Sequence, residues 1–512
     1  MILKGINNYF SNANSWLAWL VLVLPVLVIF SITMVKGPYL HPDELVIVDL
    51  GRYILTPSSS WSITWIPSIQ EPAFLISYLG VVIQEINYEY LGQYGPRIFS
   101  LLGGIAAATS LVGWLKKRNI PIRISLLLGL VFLLDPLFVQ SYTIGRIDGW
   151  CMFLCIGACW LIHGSYDGKN SFKLITAGAM AALALFIWPS AIFLFPLIIL
   201  EIFEIFLNKG DHKIDLKQKL NILALFILGS LIITFILVLP VFDQFYKQYE
   251  NIIQSLYANS HAGSEYNIDG LINNIYELPR VLKFSPFLVI AAIIAFIKIK
   301  EKGLLISLMI VTALMVVTLV YINRVQYLIP YLLLATSTLY RRELKYIISN
   351  NLKRWLLGVM LLWSISLSIV VRSYLVYNDQ KLDERMMLYQ AAGNMIGEGE
   401  HRVYIPYEFY YPGRTFNWEM YRAYLANNNP LTVEILGKVL PRVDHVIMTE
   451  PTVEIENEII KKGFAIKGEY QLYLDPPEPF NGITTNMQRV RNLYSIFDKP
   501  YGPYKLYSRE SN

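Results

Sequence analysis

The chain has 512 residues, of which 55% are hydrophobic and only 16% charged, against about 25% charged in an ordinary soluble domain. With a mean hydropathy of +0.44, this composition excludes a soluble globular protein and reads as a polytopic α-helical membrane protein. The formal net charge of +5 matters less than where the basic residues fall along the loops, and nothing in it points to nucleic acid.

The first apolar segment, from Trp16 to Met34, is longer than a signal-peptide core and has no small-x-small cleavage site before Lys36, so it reads as a retained span. Apolar runs that cross or nearly cross a ~30 Å hydrocarbon core occur at residues 16–35, 98–115, 122–139, 149–164, 171–187, 189–207, 220–241, 284–297, 303–322, 324–340 and 355–375. They predict eleven membrane helices. Residues 73–86 are apolar too, but at ~1.5 Å per residue they reach only about 21 Å. They are expected to dip into the membrane without crossing.

Leaving that piece out sorts the loops by charge. Lys116, Lys117, Arg118, Arg123, Lys209, Lys213, Lys217, Lys219, Lys298, Lys300, Lys302, Arg341 and Arg342 then share one side, which the positive-inside rule makes cytoplasmic. The N-terminus is expected on that side. Residues 36–97, the long loop 242–283 and everything after residue 376 are expected outside an inner or plasma membrane.

On the outer side, Tyr39-Leu40-His41-Pro42-Asp43-Glu44 follows the first span. Two adjacent carboxylates beside lipid are costly unless they face water or protein. One reading is a helix start, because proline at the first helical position followed by two acids suits the positive end of the helix dipole. The other is chemistry, with Asp43 as general base, Glu44 as its helper and His41 as an orienting or substrate-binding group. Residues 45–56 are mostly aliphatic, with Asp49, Arg52 and Thr56 on a narrow polar stripe, which suits a helix lying in the interface.

Farther along, Asp135-Pro136 reads as a helix terminator. Arg146-Ile147-Asp148 reads either as an exposed turn with a local ion pair, or as a phosphate grip with Asp148 paired to Asp43 at a cavity mouth. Cys151, Cys155, Cys159 and His163 recur every four residues, but a drift of ~40° and a rise of ~6 Å per step separate them too widely for one metal ion. They are read as packing residues. Because these are the chain's three cysteines, the water-exposed parts hold no disulfide. Trp188-Pro189 marks a turn. In loop 242–283, Lys247, His261, Arg280 and Lys283 are candidates to touch an anionic lipid headgroup, or else solvated surface. Asn323-Arg324 places a guanidinium at the outer interface, as a snorkelling side chain or a phosphate clamp.

After residue 376 the long apolar runs stop. Residues 383–396, 418–426, 433–439 and 453–462 read as helices, and 402–406 and 444–448 as strands. A small α/β domain over 377–512 is expected, with its proline-rich and tyrosine-rich tail as loops.

These motifs together resemble the GT-C superfamily of integral-membrane glycosyltransferases, which use polyprenyl-phosphate-linked sugars. The resemblance is carried by the acids after the first span, Glu71-Pro72 before an apolar helix, Gly95-Pro96-Arg97 before the next span, Arg146-x-Asp148, and Arg324-x-x-Tyr327-x-x-Pro330. The His-Pro-Asp-Glu spelling is similar to that of lipid-dependent mannosyltransferases, and the layout is similar to protein O-mannosyltransferases and aminoarabinose transferases. The resemblance implies a catalytic membrane domain over 1–376 and inverting transfer of a hexosyl or pentosyl group from a polyprenyl-phosphate sugar to a hydroxyl of a glycan, lipid or protein. It implies Asp43 and Asp148 as catalytic residues and Arg146 and Arg324 on the phosphate; with the residues' own reading, the candidate catalytic set is Asp43, Glu44 and Asp148, and the candidate substrate-binding set His41, Glu71, Arg146, His261, Arg324 and Tyr327. No cofactor is read with certainty: a divalent cation is left open by the resemblance, and the sequence shows no metal-ligand cluster. A transporter or lipid-linked sugar flippase is the alternative, and an anchor for the C-terminal domain a third reading.

Overall fold

The computed structural model describes residues 15–35, 42–56, 58–63, 77–165, 170–207, 215–242, 268–318, 320–341, 349–378, 384–422, 432–472, 489–490, 493–494 and 502–510. Each of the eleven apolar segments coincides with helix. The N-terminal half of the bundle comprises α1 (Ser15–Val35), α2 (Pro42–Leu55), α3 (Tyr78–Leu91), α4 (Gly95–Lys117), α5 (Ile122–Leu133), α6 (Pro136–Thr143), α7 (Asp148–His163), α8 (Ser171–Ile187), α9 (Phe195–Phe206) and α10 (Leu216–Val238). It continues with α11 (Ile268–Leu282), α12 (Pro286–Ile299), α13 (Lys302–Thr318), α14 (Ile322–Val325), α15 (Ile329–Thr338), α16 (Asn350–Ile365) and α17 (Arg372–Asn378). Among the described residues, by length and apolar composition, five helical stretches can cross a membrane alone, and two bent pairs raise that to seven. The eleven crossings read from the sequence therefore include helices too short to cross by themselves, such as α7, α8 and α13.

The bends have local causes. Asp135 caps α6 by accepting from the backbone N–H of Leu137 at 3.0 Å, and Pro136 takes the first helical position. Proline there has no N–H to lose. The terminator expected at Asp135-Pro136 thus ends α5 and restarts the chain at 58°.

Helix α3 begins within the 73–86 stretch and continues to Leu91, so its 14 residues lie farther along the chain than the expected piece; residues 73–76 lie outside the described residues. It does not simply extend α4. Gln84 Nε2 donates to Ser100 Oγ at 3.1 Å although 16 residues separate them, about 24 Å along a straight helix. The chain reverses at Gly92, whose φ of 63° is open to glycine at little cost.

The C-terminal domain is α/β, as expected. It contains α18 (Glu384–Met395), α19 (Tyr410–Thr415), α20 (Val433–Val439), α21 (Val453–Lys461), and strands β1 (Arg402–Tyr404), β2 (Glu419–Tyr421), β3 (His445–Thr449), β4 (Phe464–Tyr470) and β5 (Tyr504–Arg509). The sheet order is β2-β1-β3-β5-β4, with β1 parallel to β2 and β3 and β5 antiparallel to β3 and β4. Two expectations fail here. The helix read over 418–426 is β2 as far as it is described, because Met420 and Tyr421 are buried beside β1. The tail read as loops supplies β5 between β3 and β4, its Tyr504, Leu506 and Tyr507 buried. Both errors have one source: short strands are defined by the partners they find.

The two parts share a core. Leu45 and Val48 of α2 pack with Ile63, Leu388, Ala392, Val403, Phe409 and Trp418. The opposite side of α2, Val46, Ile47 and Leu50, packs with Val81 and Trp188. Helix α2 is therefore sandwiched, which corrects the view of Asp49 and Arg52 as a water-facing stripe. Asp49 is 0% and Arg52 6% exposed. Arg52 donates to Asp49 Oδ1 from Nε and Nη2 at 3.1 and 3.0 Å, and lies 3.4 Å from the Trp61 ring centroid. Asp49 Oδ2 accepts from Ser62 Oγ at 2.5 Å and the Ile63 N–H at 3.0 Å. Residues 59–63 thus roof the stripe, and Ser62 forms a parallel bridge with Tyr421 at the sheet edge.

Candidate active site

The start of α2 presents two carboxylates in different directions, since neighbours on a helix are about 100° apart. Glu44 turns inward and is fully buried. Its Oε2 accepts from Arg97 Nε at 2.9 Å and its Oε1 from the Tyr411 hydroxyl at 3.1 Å. It joins α4 to the C-terminal domain. Enclosed there, Glu44 faces away from the exposed side of Asp43, unlike the helper expected from the sequence.

Asp43 faces the turn between α6 and α7. Gly145 makes that turn with φ 76°, and its carbonyl accepts from Gln84 Nε2 at 2.8 Å. A Cβ at Gly145 would stand 2.7 Å from Glu44 Cγ, so the turn closes directly onto α2. Arg146 follows and is held at both ends. Its Nε donates to Asp148 Oδ2 at 2.7 Å, and its Nη1 donates to Asp43 Oδ2. The guanidinium lies 5.5 Å from the Trp188 ring centroid.

Asp148, the first residue of α7, is sealed behind this arginine. The Tyr327 hydroxyl donates to its Oδ1 at 2.7 Å and Ser141 Oγ to its Oδ2 at 3.0 Å. Asn323 Nδ2 lies 3.4 Å from Asp43 Oδ2. The result is a buried relay, Tyr327 to Asp148 to Arg146 to Asp43. Side-chain exposures of 0% for Asp148, 3% for Arg146 and 29% for Asp43 give it a direction. Of the two carboxylates, Asp43 is the one that solvent and a ligand reach.

The expected meeting of Asp43, Arg146 and Asp148 therefore exists, with a changed geometry. Asp148 stands behind Arg146 rather than beside Asp43 at the mouth, and the exposed-turn reading of Arg146 fails because its whole charge is enclosed. Arg324 is half-buried one residue beyond Asn323, its guanidinium 5.2 Å from the Tyr321 ring and 5.9 Å from Phe193. His41, Glu71 and His261 lie outside the described residues. Sequence reasoning missed Ser141, Tyr411 and the role of Trp188. Nothing in the local spelling marks them, because each meets its partner through packing.

The divalent cation left open by the motifs does not fit between Asp43 and Asp148. Arg146 supplies the positive charge there and takes one oxygen of each carboxylate, Asp43 Oδ2 and Asp148 Oδ2, while Tyr327 takes Asp148 Oδ1. A second polar cluster lies elsewhere: His163, Glu201 and Glu204 hold ligand-type atoms within 4.8 Å of one another. Arg118 donates to both Glu201 Oε1 and Glu204 Oε1, Trp114 Nε1 reaches Glu201 Oε1 at 2.8 Å, and His163 Nδ1 lies 2.8 Å from Glu201 Oε2. The arginine again provides the counter-charge, so this cluster reads as a polar staple between α4, α7 and α9. The three cysteines are buried and free, in keeping with packing.

Between α8, α9 and α10 runs an apolar cavity of about 360 Å³, lined by Ala181, Ala182, Phe186, Ile198 and Phe226 among others. Its α8 wall leads to Trp188, the ring under Arg146.

No protein-family model matches the chain, and no curated protein matches it in sequence. Solved structures do share its fold. A crystal structure of ArnT from Cupriavidus metallidurans bound to undecaprenyl phosphate superposes with a TM-score of 0.57 at 11% identity, covering 91% of this chain and 97% of that one. The same protein in the apo state gives 0.53 at 10% identity, over 86% and 94% of the two chains. The cryo-EM structure of the mycobacterial arabinofuranosyltransferase AftD gives 0.57 at 13% identity, over 98% of this chain and 40% of AftD. The fold that the sequence motifs resemble is thus the fold of this chain.

Proposed function

We propose that this chain, which has the fold of membrane glycosyltransferases, transfers a sugar from a polyprenyl-phosphate donor to an acceptor hydroxyl on the outer face of the membrane. The observation that carries the reading is the relay ending in Asp43, the reachable carboxylate, with a buried guanidinium at its back. Asp43 takes the proton of the acceptor hydroxyl as the acceptor oxygen attacks the anomeric carbon. The bond from that carbon to the phosphate oxygen breaks, and its electron pair leaves with prenyl phosphate. Attack opposite the leaving group inverts the anomeric configuration.

Each residue then has a definable part. Asp148 and Tyr327 hold Arg146 in one orientation, and Arg146 holds the Asp43 carboxylate in place. A stable phosphate leaving group asks for positioning and one base more than for an acid. Arg324 steadies the developing phosphate charge from α14. The cavity between α8, α9 and α10 takes part of the apolar donor tail, because it is lined mostly by aliphatic and aromatic side chains of apolar helices. The sugar is a hexose or pentose, and the acceptor a glycan, lipid or protein.

The test supplies the full chain in lipid nanodiscs with a panel of polyprenyl-phosphate sugars and cell-envelope acceptors. Expected are release of prenyl phosphate and a product of inverted anomeric configuration by NMR. Movement of labelled donor across the bilayer with its anomeric bond intact would replace transfer by translocation.

A further inference from the structure

The segment Ser366–Val371 is π-helical, a widening found at few places in helices and often where a side chain is put to use. It delivers Arg372 into the bundle. Arg372 is 4% exposed; its Nη1 donates to Thr33 Oγ1 at 2.6 Å and its guanidinium lies 5.2 Å from the Phe30 ring. Among the described residues no carboxylate pairs with it.

The surroundings deepen the imbalance. Its electrostatic neighbours are the phenols of Tyr494 and Tyr142 and a second cation, Arg97. Arg97 is spent on Glu44 at 2.9 Å. Asp135, which acts on both phenols, is occupied by Ser285 Oγ at 2.6 Å and the Leu137 N–H at 3.0 Å. A buried guanidinium is costly without a paired anion. Nε and Nη2 of Arg372 donate to no described acceptor, yet neither is sealed within the protein.

We propose that Arg372 anchors a second oxyanion site, separate from the Asp43 relay, that takes a phosphate group. The planar fork of arginine matches two phosphate oxygens, and Phe30 and Tyr142 wall it. The site lies at the same end of the bundle as Asp43. Arg97 ties the two, reaching the carbonyl of Met34, next to Thr33, at 3.4 Å and also Glu44, next to Asp43. The phosphate belongs either to a lipid headgroup or to a free ion. The inference does not rest on the transferase reading.

The experiment titrates the full chain in phosphate-free detergent with inorganic phosphate and, separately, with farnesyl phosphate, by calorimetry and thermal unfolding. Arg372→Met is compared with wild type, and Arg372→Lys keeps the charge where Met fails to fold. Of the equivalents that wild type binds, one is expected to weaken by about ten- to a hundredfold in either variant, the scale of charge-assisted hydrogen bonds, while any equivalent held at the Asp43 site keeps its affinity. Weakening seen with inorganic phosphate assigns a free-phosphate site, and weakening seen only with farnesyl phosphate assigns a lipid one. Unchanged binding by a folded variant, or no binding of either probe by wild type, overturns the site. Loss of sugar transfer alone bears only on the Asp43 relay.

Discussion

Replacing each carboxylate of the relay by its amide separates chemistry from architecture. In Asp43→Asn the shape is kept, the amide oxygen still accepts from Arg146, and Arg146 retains Asp148 at 2.7 Å. With 29% of its side chain exposed, Asp43 is partly solvated, so the loss of stability is about 1 kcal/mol, small against a total of roughly 5–15 kcal/mol. A general base contributes about 10²- to 10⁴-fold, so kcat falls by that factor with KM for donor nearly unchanged. Asp148→Asn is the opposite case. Its carboxylate is fully buried and holds Arg146, Tyr327 and Ser141. Breaking such a pair costs about 3–5 kcal/mol, so the midpoint of thermal unfolding falls along with activity. The assay is donor turnover beside unfolding of the same preparation. An Asp43→Asn protein that keeps more than about a tenth of wild-type kcat is incompatible with base catalysis worth at least a hundredfold.

Three further outcomes are expected. Gly145→Ala forces a side chain onto a φ of 76° and a Cβ to within 2.7 Å of Glu44 Cγ; about 1–2 kcal/mol of backbone strain adds to that clash, lowering both unfolding temperature and turnover, and a variant equal to wild type in both refutes the tight turn. Ala182→Trp fills the cavity beside α9 and raises KM for a long-chain donor roughly tenfold, the scale of overpacking, while a short-chain donor is unaffected; equal effects on both donors argue against a tail site. Burial raises the pKa of Glu408 in the C-terminal domain, where its Oε1 accepts from the Tyr504 hydroxyl at 3.0 Å. Because the folded-state value exceeds the unfolded one, ionisation penalises the folded state at neutral pH. That penalty is relieved as pH falls through the folded-state pKa and is gone below the ordinary glutamate value. Glu408→Gln should therefore unfold at a higher temperature than wild type at neutral pH, with the difference vanishing in acid; a constant difference across pH contradicts this.

Much of the architecture is legible in the sequence itself. Apolar runs announce helices that lie in lipid or in protein, and all eleven runs are helical. The turn residues Asp135-Pro136 and the spacing of Arg146 and Asp148, two apart, are local facts that a sequence carries in full. So is the change from long apolar runs to a mixed pattern after residue 376.

What packing alone decided is which polar groups meet. The periodicity of α2 shows that Asp49 and Arg52 share a stripe, but the same stripe suits water or a roof of protein, and residues 59–63 supply the roof. Asp43 and Arg146 are 103 residues apart, and Glu44 and Tyr411 are 367 apart. Their pairing depends on helices docking to within ångströms, a sum over many weak contacts that no single residue encodes. Adjacent in the chain, Asp43 and Glu44 look equivalent. The helix turns them by about 100°, and the tertiary structure makes one a reachable carboxylate and the other a buried strut.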